Sequence, residues 1–131
     1  MRAQEKLNLR LQKNFHICVG LDTDINKVPD YIKKSKNPVV EFNKIVIENT
    51  YENAAAFKIN FAFYEKDGLR GIENLISTIE LIPNDILIIG DAKRGDIGNT
   101  SMMYAESIFN FFKCDAVTLH PYMGFDSLEP F

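Results

Sequence analysis

The chain has 131 residues, of which 46% are hydrophobic and 25% are charged, and its formal net charge is −3. This composition is typical of a globular domain with its own core, and the acidic balance argues against a nucleic-acid-binding surface. Because the sequence has no long apolar run and no signal-peptide pattern, we expect no membrane partner and a cytoplasmic location.

The first half of the chain alternates between predicted helices and strands. A short leading helix is predicted at 1–13, and an apolar run that ends in an acid predicts the first strand at 15–22. The polar stretch 24–37 predicts a loop with one helical turn. Apolar residues then recur with a helical period and a proline begins them, which predicts a helix at 38–53. The second strand is predicted at 54–60.

The second half continues the alternation. A regular apolar stripe predicts a helix at 71–83, which a proline stops. The β-branched run that follows it predicts a buried strand at 85–93. A helical period returns at 100–112, and Asn99 or Thr100 is the predicted N-cap of that helix.

The last strand is predicted at 116–119, soon after one of the two cysteines, Cys114. Cys114 and Cys18 both lie in strand-like apolar runs, which predicts small buried side chains in a reducing compartment and no disulfide framework. No Cys-x-x-Cys or His-rich spacing indicates a zinc site.

Strands and helices that alternate at this spacing predict successive βαβ units and a parallel sheet. Two architectures have this order, an open doubly wound sheet and a (β/α)8 barrel, and both gather polar residues at the carboxyl ends of the strands. Such residues lie at the carboxyl end of every predicted strand: Asp22, Lys58 and Asn60, Asp91 and Lys93, and His120. Local sequence alone therefore leaves the two architectures open.

The third predicted strand ends in the pattern Asp91-x-Lys93-x-x-Asp96. Residues two apart on a strand share a face, so Asp91 and Lys93 should lie beside each other. Asp96 follows on a loop that Gly95 and Gly98 loosen. A solvated turn after a strand often contains the same residue types. However, charges at a buried strand end cost several kcal/mol to desolvate, so the full pattern favours a functional site.

Charges of alternating sign lie at the carboxyl ends of three of the predicted strands. If one face of each strand lines a barrel, Asp22, Lys58, Asp91 and Lys93 converge on the same mouth in that order. Each group then has an opposite charge as its neighbour, which keeps all of them ionised despite burial. This alternation predicts chemistry at the carboxyl ends of the strands.

Several stretches together resemble one enzyme family. Ile-Gly-Asn-Thr follows the Asp-x-Lys-x-x-Asp motif, and the stretches 20–22, 58–65 and 120–124 surround it in the family's order. Over residues 15–131 the chain resembles the orotidine 5'-phosphate decarboxylases, which convert orotidylate to uridylate. The resemblance implies a TIM (β/α)8 barrel. Residues 1–131 should supply its first four βα units, as the N-terminal half of a single domain.

The resemblance implies a reaction in which CO₂ leaves C6 of a pyrimidine nucleotide without a metal ion or an organic cofactor. Lys93 would stabilise the carbanion at C6 and donate the proton that replaces CO₂. Asp91 would lie against the substrate carboxylate. Asp22 and Lys58 would bind the ribose hydroxyls and orient Asp91 and Lys93, so Lys58 is counted among the catalytic residues.

The resemblance also implies a homodimer. Asp96 would be a catalytic and substrate-binding residue of the partner subunit's site, where Ile97 and Thr100 would also contact the nucleotide. In TIM barrels the phosphate is commonly bound by loops after strands seven and eight. We therefore expect residues 1–131 to be inactive on their own.

Two other functions fit parts of the sequence. Sugar-phosphate decarboxylases and aldolases of the same superfamily share the Asp-x-Lys-x-x-Asp motif, but they usually hold magnesium through acidic residues. The flanking stretches here resemble the orotidylate enzymes instead. The second alternative is an inactive half-barrel kept for binding or assembly.

Five residues near the strand ends have two possible roles. His120 could act as a ligand or base, although a packed strand exit is the more common role of such a residue. Phe61, Phe63 and Tyr64 could stack on a base, but aromatic packing beneath a loop is favoured. Asn60 could bond within the site or cap the next segment.

Overall fold

The computed structural model describes residues 1–131. Its strands are β1 (Ile17–Gly20), β2 (Ala54–Asn60), β3 (Leu87–Arg94) and β4 (Ala116–Leu119). Its α-helices are α1 (Ala3–Gln12), α2 (Asp30–Lys33), α3 (Pro38–Thr50), α4 (Ala62–Glu65), α5 (Gly68–Glu80) and α6 (Gly98–Ala105). A π-helical segment (Glu106–Phe111) continues α6, and short 3-10 turns lie at Ile25–Lys27, Pro121–Met123 and Phe125–Ser127. None of the helices combines the length and the apolar composition needed to cross a membrane.

The four strands form one parallel sheet in the order β1-β2-β3-β4. Each strand therefore pairs with the next strand of the chain, and the order does not reverse. An open doubly wound sheet has a switch point at which the strand order reverses, whereas the wall of a barrel runs round in chain order. The observed order is that of a barrel wall.

The hydrophobic core lies between one face of the sheet and the helices. Phe57 and Ile59 of β2 are fully buried, and Ile88 of β3 is 6% exposed. Ile47 of α3 and Leu75 of α5 belong to the same buried cluster, so both helices pack on this face. The residues that alternate with these along the strands point to the opposite face, which would be the inside of a barrel.

Helix α1 covers the amino-terminal ends of the strands. Lys6 Nζ lies 2.8 Å from the Asp115 carboxylate, and these side chains are only 11% and 13% exposed. The same carboxylate accepts a hydrogen bond of 2.9 Å from the backbone N–H of Ile88. Arg10 pairs with Asp85 at 2.9 Å. These ion pairs hold α1 at the end of the sheet opposite the predicted site.

Most predicted elements are confirmed, although several ends shift. β2 and β4 have the predicted bounds. β1 stops at Gly20, because beyond it only the Leu21 N–H continues the ladder, donating to the Lys58 carbonyl at 2.9 Å. Helix α3 ends at Thr50, before the predicted residue 53, and α5 begins at Gly68, before the predicted residue 71. The predicted loop before α3 is more helical than expected, since it contains both a 3-10 turn and α2.

The prediction for the N-cap of α6 is wrong. Ile97 occupies the N-cap position and makes no side-chain cap, whereas Asn99 and Thr100 lie inside the helix. The Ser101 hydroxyl instead donates back to the Asp96 carbonyl, so the loop is closed by a residue of the helix itself.

One of the two predictions for the cysteines is also wrong. Cys18 lies on the face of β1 opposite the core and is exposed, because the four strands leave that face uncovered. Cys114 is buried as predicted, but it precedes β4 and is not part of a strand. Burial raises the pKa of the Cys114 thiol to about 12. Both thiols are free.

Candidate active site

Four charged side chains lie next to one another at the carboxyl ends of the first three strands. Lys58 Nζ lies 3.2 Å from Asp22 Oδ2 and 3.1 Å from Asp91 Oδ2. Lys93 Nζ lies 2.7 Å from Asp91 Oδ1. The four groups therefore form an unbroken row, Asp22–Lys58–Asp91–Lys93, in which the sign of the charge alternates. We call this set the charged row, and its order is the one that the sequence predicts.

Parallel strand pairing accounts for the row. Gly20 of β1 lies opposite Lys58, and Asn60 lies opposite Asp91. Asp22 follows Gly20 by two residues, and its carboxylate accepts a hydrogen bond of 3.1 Å from the Asn60 backbone N–H. The ends of three neighbouring strands thus deliver the row to the face that the helices do not cover: β1 and β2 supply one charged residue each, and β3 supplies two.

Asp91 is the most buried member of the row, with only 11% of its side chain exposed. One carboxylate oxygen accepts hydrogen bonds from Lys93 and from the Thr118 hydroxyl, at 2.7 and 2.8 Å, and the other accepts from Lys58. Burial by itself would raise the pKa of Asp91. The hydrogen bonds from Lys93, Thr118 and Lys58 outweigh burial and lower this pKa to about 2. Asp91 is therefore a carboxylate throughout the physiological range.

Lys58 bridges the two carboxylates of the row. Burial by itself would lower the pKa of Lys58, but hydrogen bonds to Asp91 and Asp22, together with their charges, raise it above its ordinary value. Lys58 is thus a permanent cation between two anions. It cannot act as a base at neutral pH, so its contribution must be electrostatic and geometric.

The end of β3 is irregular where it carries the motif. The register with β4 shifts between Gly90 and Arg94, and Lys93 has a positive φ of 49°. The Lys93 N–H leaves the ladder and donates to the Thr118 hydroxyl at 3.1 Å. A left-handed conformation costs a non-glycine residue about 1–2 kcal/mol, and such strain is concentrated at functional sites. The bulge keeps the Lys93 ammonium beside Asp91 while leaving 52% of its side chain exposed.

Asp96, Ile97 and Thr100 are not brought to the charged row. Asp96 lies on the loop after β3, as predicted, and its carboxylate accepts a hydrogen bond of 2.8 Å from the Ile97 N–H. The Ile97 side chain is 63% exposed, and Thr100 is exposed as well. Their role in a partner subunit's site stays a prediction.

The aromatic residues after β2 belong mainly to the core. Phe61 and Tyr64 are each 1% exposed, which confirms packing as their role and leaves neither ring free to stack on a base. Phe63 is partly buried against the same cluster. The Tyr64 hydroxyl takes part in a buried polar network that sequence reasoning did not foresee.

Asn60 has both of the roles that the sequence left open. Its side chain accepts a hydrogen bond of 3.2 Å from the Ala62 N–H at the start of α4, while its backbone N–H holds Asp22. The His120 side chain is exposed and stacks on Tyr122, with ring centroids 6.3 Å apart. His120 makes no hydrogen bond to the charged row, which agrees with its role as a strand exit.

Two sets of functional candidates escaped the sequence reasoning. Thr118 accepts a hydrogen bond from the Lys93 N–H and donates one to Asp91. It lies two residues before His120, so alternation along β4 would have found it. The second set lies beneath the loop that carries Asp22, and its signal was the polar residues Asn43 and Thr78 within the predicted helices 38–53 and 71–83. Its members are Thr23, Asn43, Tyr64 and Thr78.

This arrangement suits the stabilisation of negative charge followed by proton transfer. The Lys93 ammonium pairs with Asp91 on one side, and the exposed part of its side chain can meet a substrate anion. Asp22 and Asp91 have carboxylate oxygens of the kind that bind divalent cations, but the Lys58 ammonium occupies the space between them. No group of three or more His, Cys, Asp or Glu side chains is positioned to hold a metal ion.

The chain matches known sequences over most of its length. Residues 16–131 match the profile of the orotidine 5'-phosphate decarboxylase / HUMPS family. A Christiangramia forsetii protein named orotidine 5'-phosphate decarboxylase is 48% identical, and the match covers 100% of this chain and 49% of the relative. A protein of the same name from Porphyromonas gingivalis matches with the same identity and coverage. The chain thus spans about half the length of the curated relatives it matches.

Solved structures give the same result. Leishmania donovani OMP decarboxylase superposes with a TM-score of 0.86 at 41% identity, over 100% of this chain and 49% of the other. Leishmania donovani UMP synthase superposes with a TM-score of 0.89 at 42% identity, over 100% of this chain and 27% of the other. The predicted fold is confirmed, since the four-stranded parallel sheet with its helices forms about half of a TIM (β/α)8 barrel. The chain belongs to the orotidine 5'-phosphate decarboxylase / HUMPS family.

Proposed function

We propose that this chain carries the catalytic charges of an orotidine 5'-phosphate decarboxylase. The reaction is the conversion of orotidine 5'-phosphate to uridine 5'-phosphate, the last step of de novo pyrimidine synthesis. The observation that carries the proposal is the charged row, whose alternating ion pairs stand at the strand ends of a chain with relatives of that name. The proposal concerns a complete barrel, of which residues 1–131 supply about half.

Lys93 is the residue that meets the reacting carbon. As CO₂ departs, the electron pair of the broken bond stays on C6 of the pyrimidine, and the Lys93 ammonium stabilises it there. Lys93 then donates a proton to C6 and becomes a neutral amine, which regains a proton from solvent. The geometry of the Lys93 side chain supports this role. Asp91 pairs with its ammonium, yet 52% of the side chain is exposed and can face a substrate.

Asp91 positions the Lys93 ammonium and acts on the substrate. Its carboxylate lies beside the place of the substrate carboxylate and repels it, whereas departing CO₂ is neutral and meets no such repulsion. The interaction therefore favours the transition state over the bound substrate, which is the condition for catalysis. The depressed pKa of Asp91, about 2, supports this role, because the group stays ionised when substrate binds.

Asp22 and Lys58 bind the ribose hydroxyls and hold the other two charges in place. Their side chains are 33% and 32% exposed, so each has free surface on the uncovered face of the sheet. A carboxylate accepts hydrogen bonds from hydroxyl groups, and an ammonium donates to them. The pair can therefore form hydrogen bonds to two neighbouring ribose hydroxyls at the same time.

A homodimer completes the proposal. Asp96 and Ile97 lie on the loop after β3, and Thr100 lies in the first turn of α6. None of the three bonds to the row of its own subunit, and they would contact nucleotide in the partner's site. The neighbouring α6 carries Met102 and Met103, which are 45% and 51% exposed. Large exposed apolar side chains grouped together are a usual mark of a protein–protein interface.

The magnesium-dependent sugar-phosphate alternative is less well supported. It requires acidic residues that are free to bind the ion. In this chain the Lys58 ammonium lies within 3.2 Å of both Asp22 and Asp91 and satisfies those carboxylates. A lysine in that position favours a site that works through its own fixed charges.

A chimaera tests the proposal. Residues 1–131 would be joined to the C-terminal half of the Christiangramia forsetii relative, and we name this protein the full-barrel chimaera. The ultraviolet absorbance change that accompanies the loss of orotidylate would measure turnover. We expect turnover in the chimaera and a loss of more than about 10² to 10³-fold in Lys93→Ala, because the lysine both stabilises the carbanion and supplies the proton.

Lys36→Ala is the matched control, since Lys36 is an exposed lysine outside the site. It should leave turnover unchanged. Circular dichroism and size-exclusion chromatography would establish that each variant is folded. A folded Lys93→Ala chimaera with normal turnover would contradict the role of Lys93, and a folded parent chimaera without turnover would contradict the proposed function.

A further inference from the structure

Beneath the loop that carries Asp22 lies a buried network of polar side chains, which we name the Asn43 network. The Asn43 amide donates to the Tyr64 hydroxyl at 2.9 Å and to the Thr78 hydroxyl at 2.8 Å, and it accepts from the Thr23 hydroxyl. The Tyr64 hydroxyl in turn donates to the Leu21 carbonyl at 2.7 Å. Asn43 and Thr78 are fully buried, and Tyr64 is 1% exposed.

The hydrogen-bond roles within the network are mutually dependent. The Tyr64 hydroxyl has one proton, and it is given to the Leu21 carbonyl, so Tyr64 must accept from Asn43. This requirement directs the amide nitrogen of Asn43 toward Tyr64 and its oxygen toward Thr23. Burial raises the pKa of Tyr64 to about 12, so the hydroxyl keeps the proton that the arrangement needs.

The network holds the residues on both sides of Asp22. Leu21 precedes it and is held at its carbonyl by Tyr64, while Thr23 follows it and is held at its hydroxyl by Asn43. The residues on either side of Asp22 are thereby tied to α4 and α3, Leu21 through its backbone and Thr23 through its side chain. The carboxylate itself is left free to bond Lys58 and the Asn60 N–H.

Helix packing makes the position of Tyr64 strict. A Cβ atom added at Gly71 of α5 would lie 1.7 Å from the Tyr64 carbonyl oxygen, so only glycine allows α5 to come this close.

Burying polar groups has a cost that apolar residues of the same volume would avoid, because each amide and hydroxyl loses its water and must find a partner. A fully paired polar network has a different advantage, since its hydrogen bonds specify one arrangement of the neighbouring residues.

We propose that Tyr64 and Asn43 are positioning residues that hold Asp22 against Lys58 at the start of the charged row. The expected effect on catalysis rests on the proposed function, whereas the positioning of Asp22 does not. Neither residue lies on the uncovered face of the sheet, so neither would touch the substrate. Their effect on the reaction would pass entirely through Asp22.

A double-mutant cycle in the full-barrel chimaera tests this coupling. Tyr64→Phe removes the hydroxyl and keeps the ring. We expect it to lower kcat/KM by about tenfold in the parent but by less than about twofold in the Asp22→Ala background, because coupled residues are not additive. Lys6→Met is the matched control, since it loses a buried polar contact at the opposite end of the strands. Its effect should be the same in both backgrounds.

A second measurement on residues 1–131 does not depend on catalysis. The Asn60 N–H donates to the Asp22 carboxylate, so its hydrogen exchange, followed by NMR, reports whether Asp22 is in place. Exchange at Asn60 should accelerate at least about fivefold in Tyr64→Phe, as expected when a protecting bond is lost locally. Exchange at Ile88, whose N–H donates to Asp115, should stay unchanged. Thr23→Val, which removes only one donor, serves as a milder variant if Tyr64→Phe does not fold.

The two measurements separate the two proposals. If the parent chimaera has no turnover, the proposed function fails while Asn60 exchange still tests the positioning of Asp22. Equal losses of kcat/KM in the two backgrounds would overturn the inference. Unaltered exchange at Asn60 in a folded Tyr64→Phe chain would overturn it as well.

Discussion

Asp91→Asn should lower the stability of the chain by an amount that depends on pH, and this dependence would identify the charged row. The substitution keeps the size of the side chain but removes the charge that Lys58 and Lys93 both contact. It leaves two cations close together without the anion between them. The asparagine can still accept one hydrogen bond, so the loss measures chiefly the missing charge.

The magnitude follows from the pKa of Asp91, which is lowered from 3.8 to about 2 in the folded chain. Each pKa unit corresponds to about 1.4 kcal/mol, so the ionised carboxylate should contribute about 2 kcal/mol to the free energy of unfolding at pH 7. Because the folded pKa is the lower one, this contribution is complete above the unfolded pKa. It is lost as the pH falls from about 5 towards 2.

Urea unfolding of residues 1–131, followed by circular dichroism at several pH values between 7 and 3, would measure the difference between Asp91→Asn and the parent. We expect a difference of about 2 kcal/mol at pH 7 and pH 5 that shrinks below pH 4. Asp30→Asn is the matched control, because Asp30 pairs with Lys33 at 3.0 Å but its side chain is 92% exposed. That control should change stability by less than about 0.5 kcal/mol. A difference that does not vary with pH would refute the reasoning.

Three further predictions concern other parts of the molecule. Lys6→Met should cost about 3 kcal/mol in urea unfolding by leaving the Asp115 carboxylate buried without its cation, yet keep the kcat/KM of the full-barrel chimaera within about twofold. Mixing Asp96→Ala and Lys93→Ala chimaeras, each inactive, should restore activity through heterodimers, and no recovery despite proven subunit exchange would place Asp96 in its own subunit's site. Residues 1–131 alone should show no turnover of orotidylate and bind uridylate weakly, because loops after strands seven and eight commonly bind the phosphate; enzyme-like turnover would disprove this.

The succession of helices and strands along the chain could be predicted from sequence, because it depends on short-range preferences. The bounds of β2 and β4 were predicted correctly, and both are runs whose apolar or β-branched residues favour a strand without help from distant parts of the chain. The membership of the charged row was also accessible. Alternation along each strand places Lys58 on one face with Asn60, and Asp91 with Lys93, whatever the strand pairs with.

The ends of helices and strands were less predictable, because capping depends on which hydrogen-bond partners the adjoining loop places near them. Thr100 has the chemistry of an N-cap but lies within α6, where Ser101 closes the preceding loop instead. Cys18 has the composition of a buried strand residue, yet it lies on the face that the helices do not cover. In both cases the residue type was compatible with two environments, and only the packing selected one.

The sequence alone determined which elements and functional residues the chain has. These are the alternating strands and helices, the acids and bases at the strand ends, and a motif that resembles one enzyme family. Tertiary structure decided the strand order, the contact between Asp22 and Lys58, the bulge at Lys93 and the burial of the Asn43 network. The physical reason is the range of the interactions. Periodicity and backbone preference act over a few residues, whereas these contacts join residues far apart in the chain and form only when the whole core closes.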